Sequence, residues 1–240
     1  MSRATGDDRV GDDRVALVSG GNRGIGLAVC EGFARRGVQV YMGCRDPAEG
    51  RAAIERRGLT GVTPIALDVC SEASIAAVID SIARASGHLD LLVNNAGMSV
   101  GVRDRPSEES MAQARTTFDV NFFGPWRLSQ QALPLMRGRA QAHIINVSSG
   151  HGSSTRIEGN NLAYRSSKSA LNVLTQAMAC ELADSGIRVN CMTPGWVRTK
   201  LGGVAAPRTP EEGADTIFWL ALDGGGETGK FYKDREIFPW

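Results

Sequence analysis

The chain lacks any apolar run approaching the roughly 20 residues that span a bilayer, so no membrane partner is expected. Net charge is also small: 27 basic and 26 acidic side chains leave a formal charge of +1. Without a basic stripe, nucleic acid drops out as an expected partner. Histidine is scarce (His88, His143, His151), and the five cysteines (Cys30, Cys44, Cys70, Cys180, Cys191) are odd in number with no Cys-x-x-Cys pair. That scarcity speaks against a metal site and against a disulfide framework, leaving a reducing cytoplasm as the expected setting. Residues 1–14 are polar and acidic and do not read as a secretory signal. They open a tandem duplication, Gly-Asp-Asp-Arg-Val at 6–10 and again at 11–15, which reads as a disordered tail over 1–13.

What is present is an alternation of strand-like and helix-like segments with no break in composition after the tail. Residues 14–240 therefore read as a single α/β domain, a doubly wound (Rossmann) and mainly parallel sheet with helices on both faces. The apolar run 15–19 is a strand covered on both sides. Gly20, Gly21, Asn22, Arg23, Gly24, Ile25 and Gly26 follow it, and 27–36 is helical up to Gly37. Strand, glycine turn and helix in that order form a nucleotide-site signature: backbone approaches a pyrophosphate, and the helix start offers its N–H groups. After the second strand (38–43), where an NAD site usually carries an acid for the ribose hydroxyls, stand Cys44 and Arg45. Arg45 and Arg23 offer two guanidinium forks, which favours the 2′-phosphate of NADP. Asp46-Pro47 is accounted for as a helix start.

The third strand (62–67) ends at Asp68-Val69, where Asp68 either bonds an adenine amino group or caps the helix 71–85. A fourth strand (89–93) leads to Asn94-Asn95-Ala96-Gly97, either a turn that meets ligand at the sheet crevice or plain turn chemistry. Residues 103–137 read as a long helical region that Gly124-Pro125 and Pro134 kink or break. It contains Asn121, a mediocre helix former, and an apolar set (Phe122, Phe123, Trp126) that buries or dimerises. The fifth strand (143–147) carries Ser148 and Ser149 at its carboxyl end, and the sixth (187–192) ends in Thr193-Pro194-Gly195-Trp196. Helix 209–222 begins with a capping threonine, a proline and two acids, and 230–232 is a last short strand. Between the fifth and sixth strands, Tyr164 and Lys168 share one helix face. A cation on that face should pull the phenol below its ordinary pKa of about 10, letting it exchange a proton with a carbonyl or alcohol oxygen.

With these motifs in this order, the chain resembles the short-chain dehydrogenase/reductase family over nearly its whole length. The resemblance rests on Gly20-x3-Gly24-x-Gly26, Asn94-Asn95-Ala96-Gly97, Asn121, Ser149, Tyr164-x3-Lys168 and Pro194-Gly195; Ser19 stands where the family usually has threonine. It implies that Tyr164 is the acid/base, that Ser149 positions the carbonyl, and that Lys168 binds the nicotinamide ribose and biases Tyr164. Asn121 would hold a water linking Lys168 to solvent. Cofactor contacts are implied for Gly20, Asn22, Arg23, Gly24, Ile25, Gly26, Arg45, Asp68, Val69, Asn95, Ala96 and Gly97, and for Pro194, Gly195, Val197 and Thr199 on the nicotinamide side. The Ser149–Tyr164 interval is two residues longer than usual, so a small insertion is expected, and Ser149-x-x-Gly152 favours Ser149 over Ser148.

The C-terminal third looks most like carbonyl reductases, which implies NADPH-dependent reduction of a ketone or aldehyde, with no metal. The short segment 200–208 implies an abbreviated lid over an open site, with His151 and Trp196 either lining substrate or packing. The insertion before the tyrosine in monomeric animal carbonyl reductases is missing. A homodimer or homotetramer through the helices around Asn121 and Tyr164 is therefore expected. Alternatives are an NAD-dependent alcohol dehydrogenase, a sugar-nucleotide epimerase or dehydratase, and a binding protein that senses NADP without turnover.

Overall fold

The apolar runs become strands β1 (Val15–Ser19), β2 (Gln39–Cys44), β3 (Val62–Ala66), β4 (Leu91–Asn94), β5 (His143–Val147), β6 (Arg188–Met192) and β7 (Phe231–Lys233). Between them lie helices α1 (Gly24–Ala34), α2 (Pro47–Arg57), α3 (Glu72–Ala85), α4 (Met111–Phe118), α5 (Gly124–Met136), α6 (Leu162–Glu181) and α7 (Pro210–Ala221). This computed structural model describes residues 13–100, 104–155 and 157–240; residues 1–12 of the expected tail, and with them most of the duplicated segment, lie outside the described residues.

The sheet runs β3-β2-β1-β4-β5-β6-β7, all parallel, and closes with an antiparallel two-residue strand β8 (Glu236–Ile237). Strand order reverses at β1, so β1 and β4 part at their carboxyl ends and open the crevice where ligands bind in such sheets. Successive strand residues point to opposite faces. Leu17, Leu92, Ile144 and Val189 meet Ile75, Leu128 and Leu171 on one side. Ala16, Val18, Val93 and Ile145 meet Val29, Phe33, Ile217 and Leu220 on the other. Covering both faces explains why the central strands read as unbroken apolar runs; each buried leucine- or isoleucine-sized side chain contributes about 2 kcal/mol.

The helix ends follow from side-chain chemistry. Asp46 accepts from the Ala48 N–H at 2.8 Å ahead of Pro47, and Gly58 closes α2 in the left-handed region with φ 61°. Thr209 and Glu212 form a reciprocal capping box at the start of α7. At α3 the cap is Ser71, which accepts from Ser74 N, and not Asp68; Asp68 folds its carboxylate onto its own turn, accepting from Cys70 N at 3.0 Å.

The region read as one helix over 103–137 is resolved differently. Helix α4 starts at Met111, and a π-helical turn, Asp119–Phe123, joins it to α5. The irregularity thus sits at Asn121 and not at a proline break: Pro125 occupies the first turn of α5, where a missing N–H costs nothing, and Pro134 is carried inside α5 near its end. Strand β8 was not expected because its turn, Asp234 (φ 53°) and Arg235 (φ 68°), has two non-glycine residues in the left-handed region. A two-residue hairpin of this kind usually carries Asn-Gly. Here bidentate ion pairs, Arg208 to Asp234 and Arg235 to Asp215, hold both residues in place.

Candidate active site

The glycine turn is built to bring α1 against β1. Gly20 and Gly24 have φ of 65° and 54°, and a Cβ on Gly26 would lie 2.2 Å from the Gly20 carbonyl oxygen. Buried Ser19 supports the turn from below: its Oγ accepts from Asn95 N and Ala96 N, both at 3.0 Å. This explains why a hydroxyl residue is needed there. The Asn95 amide donates to the carbonyls of Ser19 and Gly20 at 2.9 and 3.1 Å, so its side chain scaffolds the turn. At the N-terminus of α1, Arg23 stands in the capping position without a side-chain cap, and no acid lies in the first turn. The first N–H groups of α1 are thus left for an anion.

Around this turn, Asn22 donates to Glu49 at 2.8 Å. Arg23 and Arg45 are exposed and make no ion pair among the described residues. Asp46 is engaged as a cap, so no carboxylate of β2 is poised for a ribose. Val69 is buried behind Gly124, where an added Cβ would meet its side chain at 2.9 Å. Ile25, in the first turn of α1, packs on the core.

On α6, Tyr164 and Lys168 are both buried, at 8% and 4% exposure. The Ser149 hydroxyl neighbours the Tyr164 phenol closely enough to influence its titration. Burial raises the phenol above its ordinary pKa, and the Ser149 hydroxyl pulls the other way. The expected depression by Lys168 is therefore not what this structure gives. The Lys168 ammonium donates to the Val147 carbonyl at 2.8 Å and lies 5.9 Å from the tyrosine ring centroid, and burial lowers its own pKa to about 8. Desolvation is the largest cause of the shift at both residues.

Ser148, the competing serine, is buried and bonded to Asn172 at 2.6 Å, away from the phenol. The geometry thus separates the two serines. Asn121 is fully buried in the π-helical turn; it accepts from Met98 N and donates to Met98 O and to Ser167. The turn shifts the register of its helix, so an amide that suits a helix poorly reaches the strand-end loop instead. Gly97 completes the group: a Cβ there would stand 3.5 Å from both Asn121 Oδ1 and Lys168 Nζ.

The segment after β6 folds back on itself. Thr193 Oγ1 accepts from Gly150 N at 3.0 Å, tying it to the Ser149 loop. Gly195 (φ 75°) lies under the Arg208 guanidinium, which also donates to Pro194 O. Buried Val197 bridges to Arg208, and the Thr199 methyl would meet a Cβ on Gly24 at 3.1 Å, so this segment reaches across to the glycine turn. Trp196 is exposed, with its indole N–H donated to Gly202 O at 2.7 Å. His151 is also exposed and sets its ring edge-on to Tyr164, centroids 6.2 Å apart. Burial first, then the charge of Arg165, lowers its pKa.

Sequence reasoning did not single out the supporting roles of Ser19, Glu49, Met98, Ser167, Asn172, Thr193 and Arg208. Only Ser19 left a signal, by standing where threonine is usual.

Residues 14–208 match the family model described as short chain dehydrogenase. Carbonyl reductase [NADPH] 1 of Mus musculus is 32% identical over 275 aligned positions, covering 94% of this chain and 98% of the relative. The alignment is longer than this chain, so the mouse protein carries segments with no counterpart here. Among solved structures, NADPH-bound carbonyl reductase from chicken fatty liver superposes with TM-score 0.87 at 28% identity, covering 95% of this chain and 99% of that one. Carbonyl reductase Sniffer of D. melanogaster also gives 0.87, at 25% identity, covering 96% and 100%. The motifs, the sheet order and these matches agree, and the chain belongs to the short chain dehydrogenase family.

Proposed function

We propose that the protein reduces a ketone or aldehyde to an alcohol with NADPH, using Tyr164 as proton donor. The observation that carries the reading is the grouping of Ser149, Tyr164 and buried Lys168 at the carboxyl end of a sheet whose glycine turn is open to a dinucleotide. The carbonyl reductase names and the NADPH of its relatives point the same way.

The residues present fit NADPH. A side chain at Gly26 would fill the backbone approach, the start of α1 is uncapped, and Arg23 and Arg45 stand free of acidic partners among the described residues. These residues would hold the pyrophosphate and the 2′-phosphate, and Thr199 and 194–197 would border the nicotinamide. When bound, NADPH supplies a hydride for the carbonyl carbon. The chain's part is the proton and the geometry. Ser149 Oγ donates to the carbonyl oxygen, Tyr164 gives that oxygen its proton, and hydride plus proton complete the alcohol. Burial keeps the phenol protonated at neutral pH, as a proton donor requires. The Lys168 ammonium, on the same helix face, balances the phenolate left behind. Asn121 holds 97–98 in place through both Met98 backbone groups.

In Tyr164→Phe, kcat should fall by about 100-fold or more, the share that positioned acids contribute, while NADPH affinity holds. Full turnover in that variant would end the proposal. A panel of ketones and aldehydes assayed with NADPH and NADH in parallel identifies the carbonyl class; turnover with NADH alone would favour the NAD-dependent alternative.

The same reading includes self-association. Phe123 and Trp126 on the α5 side and Val173 on α6 are exposed at 38%, 39% and 64%, an apolar face suited to a homodimer or homotetramer. Light scattering on the purified protein decides it, and a monomer would refute it. A reducing cytoplasm also belongs to the proposal, with all five cysteines present as free thiols.

A further inference from the structure

The loop that follows Ser149 is held from two sides. Its inner side rests on α6: a Cβ on Gly152 would strike the Lys168 backbone at 2.9 Å, and the Gly152 carbonyl accepts from Ser169 and Asn172 at 2.9 and 3.1 Å. Its other side meets 238–240, which return from the β7–β8 hairpin. Three donors converge on one oxygen there: Ser153 Oγ, Ser154 Oγ and Ser154 N each reach Trp240 O at 2.9 Å. Ser153 is fully buried, and Thr155 Oγ1 lies 2.8 Å from its hydroxyl. Since that hydroxyl donates to Trp240, it accepts from Thr155, and the two bonds fix one another.

Trp240 is itself anchored. Its ring stacks on buried Phe231 of β7, centroids 5.7 Å apart at 28°, and Phe238 packs edge-on to the same ring at 5.2 Å. Phe238 N donates to Phe231 O at 2.7 Å, and its ring tip lies 3.9 Å from where a Gly150 Cβ would stand. Residues 238–240 thus border the loop at Gly150, next to Ser149, and bond it at Ser153 and Ser154. Between these two contacts lies His151, whose ring meets Tyr164.

We infer that residues 238–240 form a strap that sets Ser149 and His151 against Tyr164, and that Trp240 is a positioning residue for carbonyl reduction. The inference rests on Ser149 and Tyr164 acting as proposed above. The contacts that hold the strap run to the 150–155 loop and to β7, so it should govern carbonyl turnover and leave the dinucleotide alone.

The test compares the full chain with a chain ending at Pro239, with Trp240→Phe, and with the Ser153→Ala/Ser154→Ala pair. The shortened chain should lose about tenfold or more in kcat/KM on an accepted ketone, since small misplacements of reacting groups are costly. Its NADPH dissociation constant should stay within about twofold of the parent. Hydrogen exchange at amides 150–155 should quicken in the shortened chain and in the serine pair, while Trp240→Phe, which keeps an aromatic ring and the main-chain oxygen, should leave both readouts near those of the parent. An unchanged kcat/KM with unchanged exchange overturns the strap, as does a loss of NADPH affinity equal to the loss of turnover. Tyr164→Phe in the same assay separates the layers: if it remains active, the functional reading fails, and if it is dead while the shortened chain is normal, only the strap fails.

Discussion

Replacing Gly26 with alanine would place a Cβ 2.2 Å from the Gly20 carbonyl oxygen and 2.5 Å from Asn95 Nδ2. Non-bonded heavy atoms settle at about 3.5 Å or more, so the turn must retreat by about 1 Å. Neither neighbour is the loose end of a flexible side chain: one is backbone, and the other is an amide bonded to both Ser19 O and Gly20 O. Overpacking costs about 1–3 kcal/mol, and losing the 3.1 Å bond to Gly20 adds about 1 kcal/mol. Urea unfolding should therefore show a loss of about 2–4 kcal/mol.

The same displacement moves the first N–H groups of α1 away from β1. An NADPH fluorescence titration should therefore show affinity weakened about tenfold or more. Gly32→Ala is the control. Its Cβ would lie 2.2 Å from the Phe218 ring, so it strains the α1–α7 contact on the same helix but spares the turn. It should cost less stability, because the Phe218 ring can turn aside, and leave NADPH affinity unchanged. If Gly26→Ala binds NADPH like the parent, or Gly32→Ala loses as much affinity, the assignment of the turn to the dinucleotide is wrong.

Arg45→Ala and Arg23→Ala should each weaken NADPH binding about tenfold while changing NADH little, since each removes one charged fork from a phosphate; equal effects on the two cofactors would refute the 2′-phosphate reading. Lys168, with its pKa lowered to about 8 by burial, binds its proton less readily folded than unfolded. Its presence therefore costs stability at neutral pH, and that cost fades as pH rises through 8 toward the unfolded value. Relative to Lys168→Met, the parent should gain about 2 kcal/mol between pH 7.5 and 9.5; parallel stability curves would contradict this. Thr209→Ala breaks the capping box and should lower stability by about 1 kcal/mol with kcat/KM intact, because Thr209 serves α7 alone; a drop in turnover would show the cap reaching the site.

The strands and the glycine turn were legible because local chemistry decides them: a strand buried on both faces must be apolar, and a backbone that touches backbone must be glycine. Tyr164 and Lys168 were legible from spacing. Three things were not. Asn121 looked like a poor helix residue because a π-helical turn leaves little mark in a sequence, although its amide satisfies both backbone groups of Met98. The direction of the Tyr164 shift depends on how much water the fold excludes, and a heptad of sequence does not record that. The hairpin at Asp234 and Arg235 hides because ion pairs to Arg208 and Asp215 hold two side-chain-bearing residues where glycine is usual.

The two margins of the sheet differ from its centre. Strand β3 carries Pro64, which withdraws one N–H from the outer strand, and β8 offers only Glu236 and Ile237. An extended segment of another chain gains affinity by adding to an open row of backbone donors and acceptors, and here one row is interrupted and the other ends almost at once. Strand addition is thus discouraged at both margins, and an apolar peptide probing the sheet edges would find little backbone template to extend.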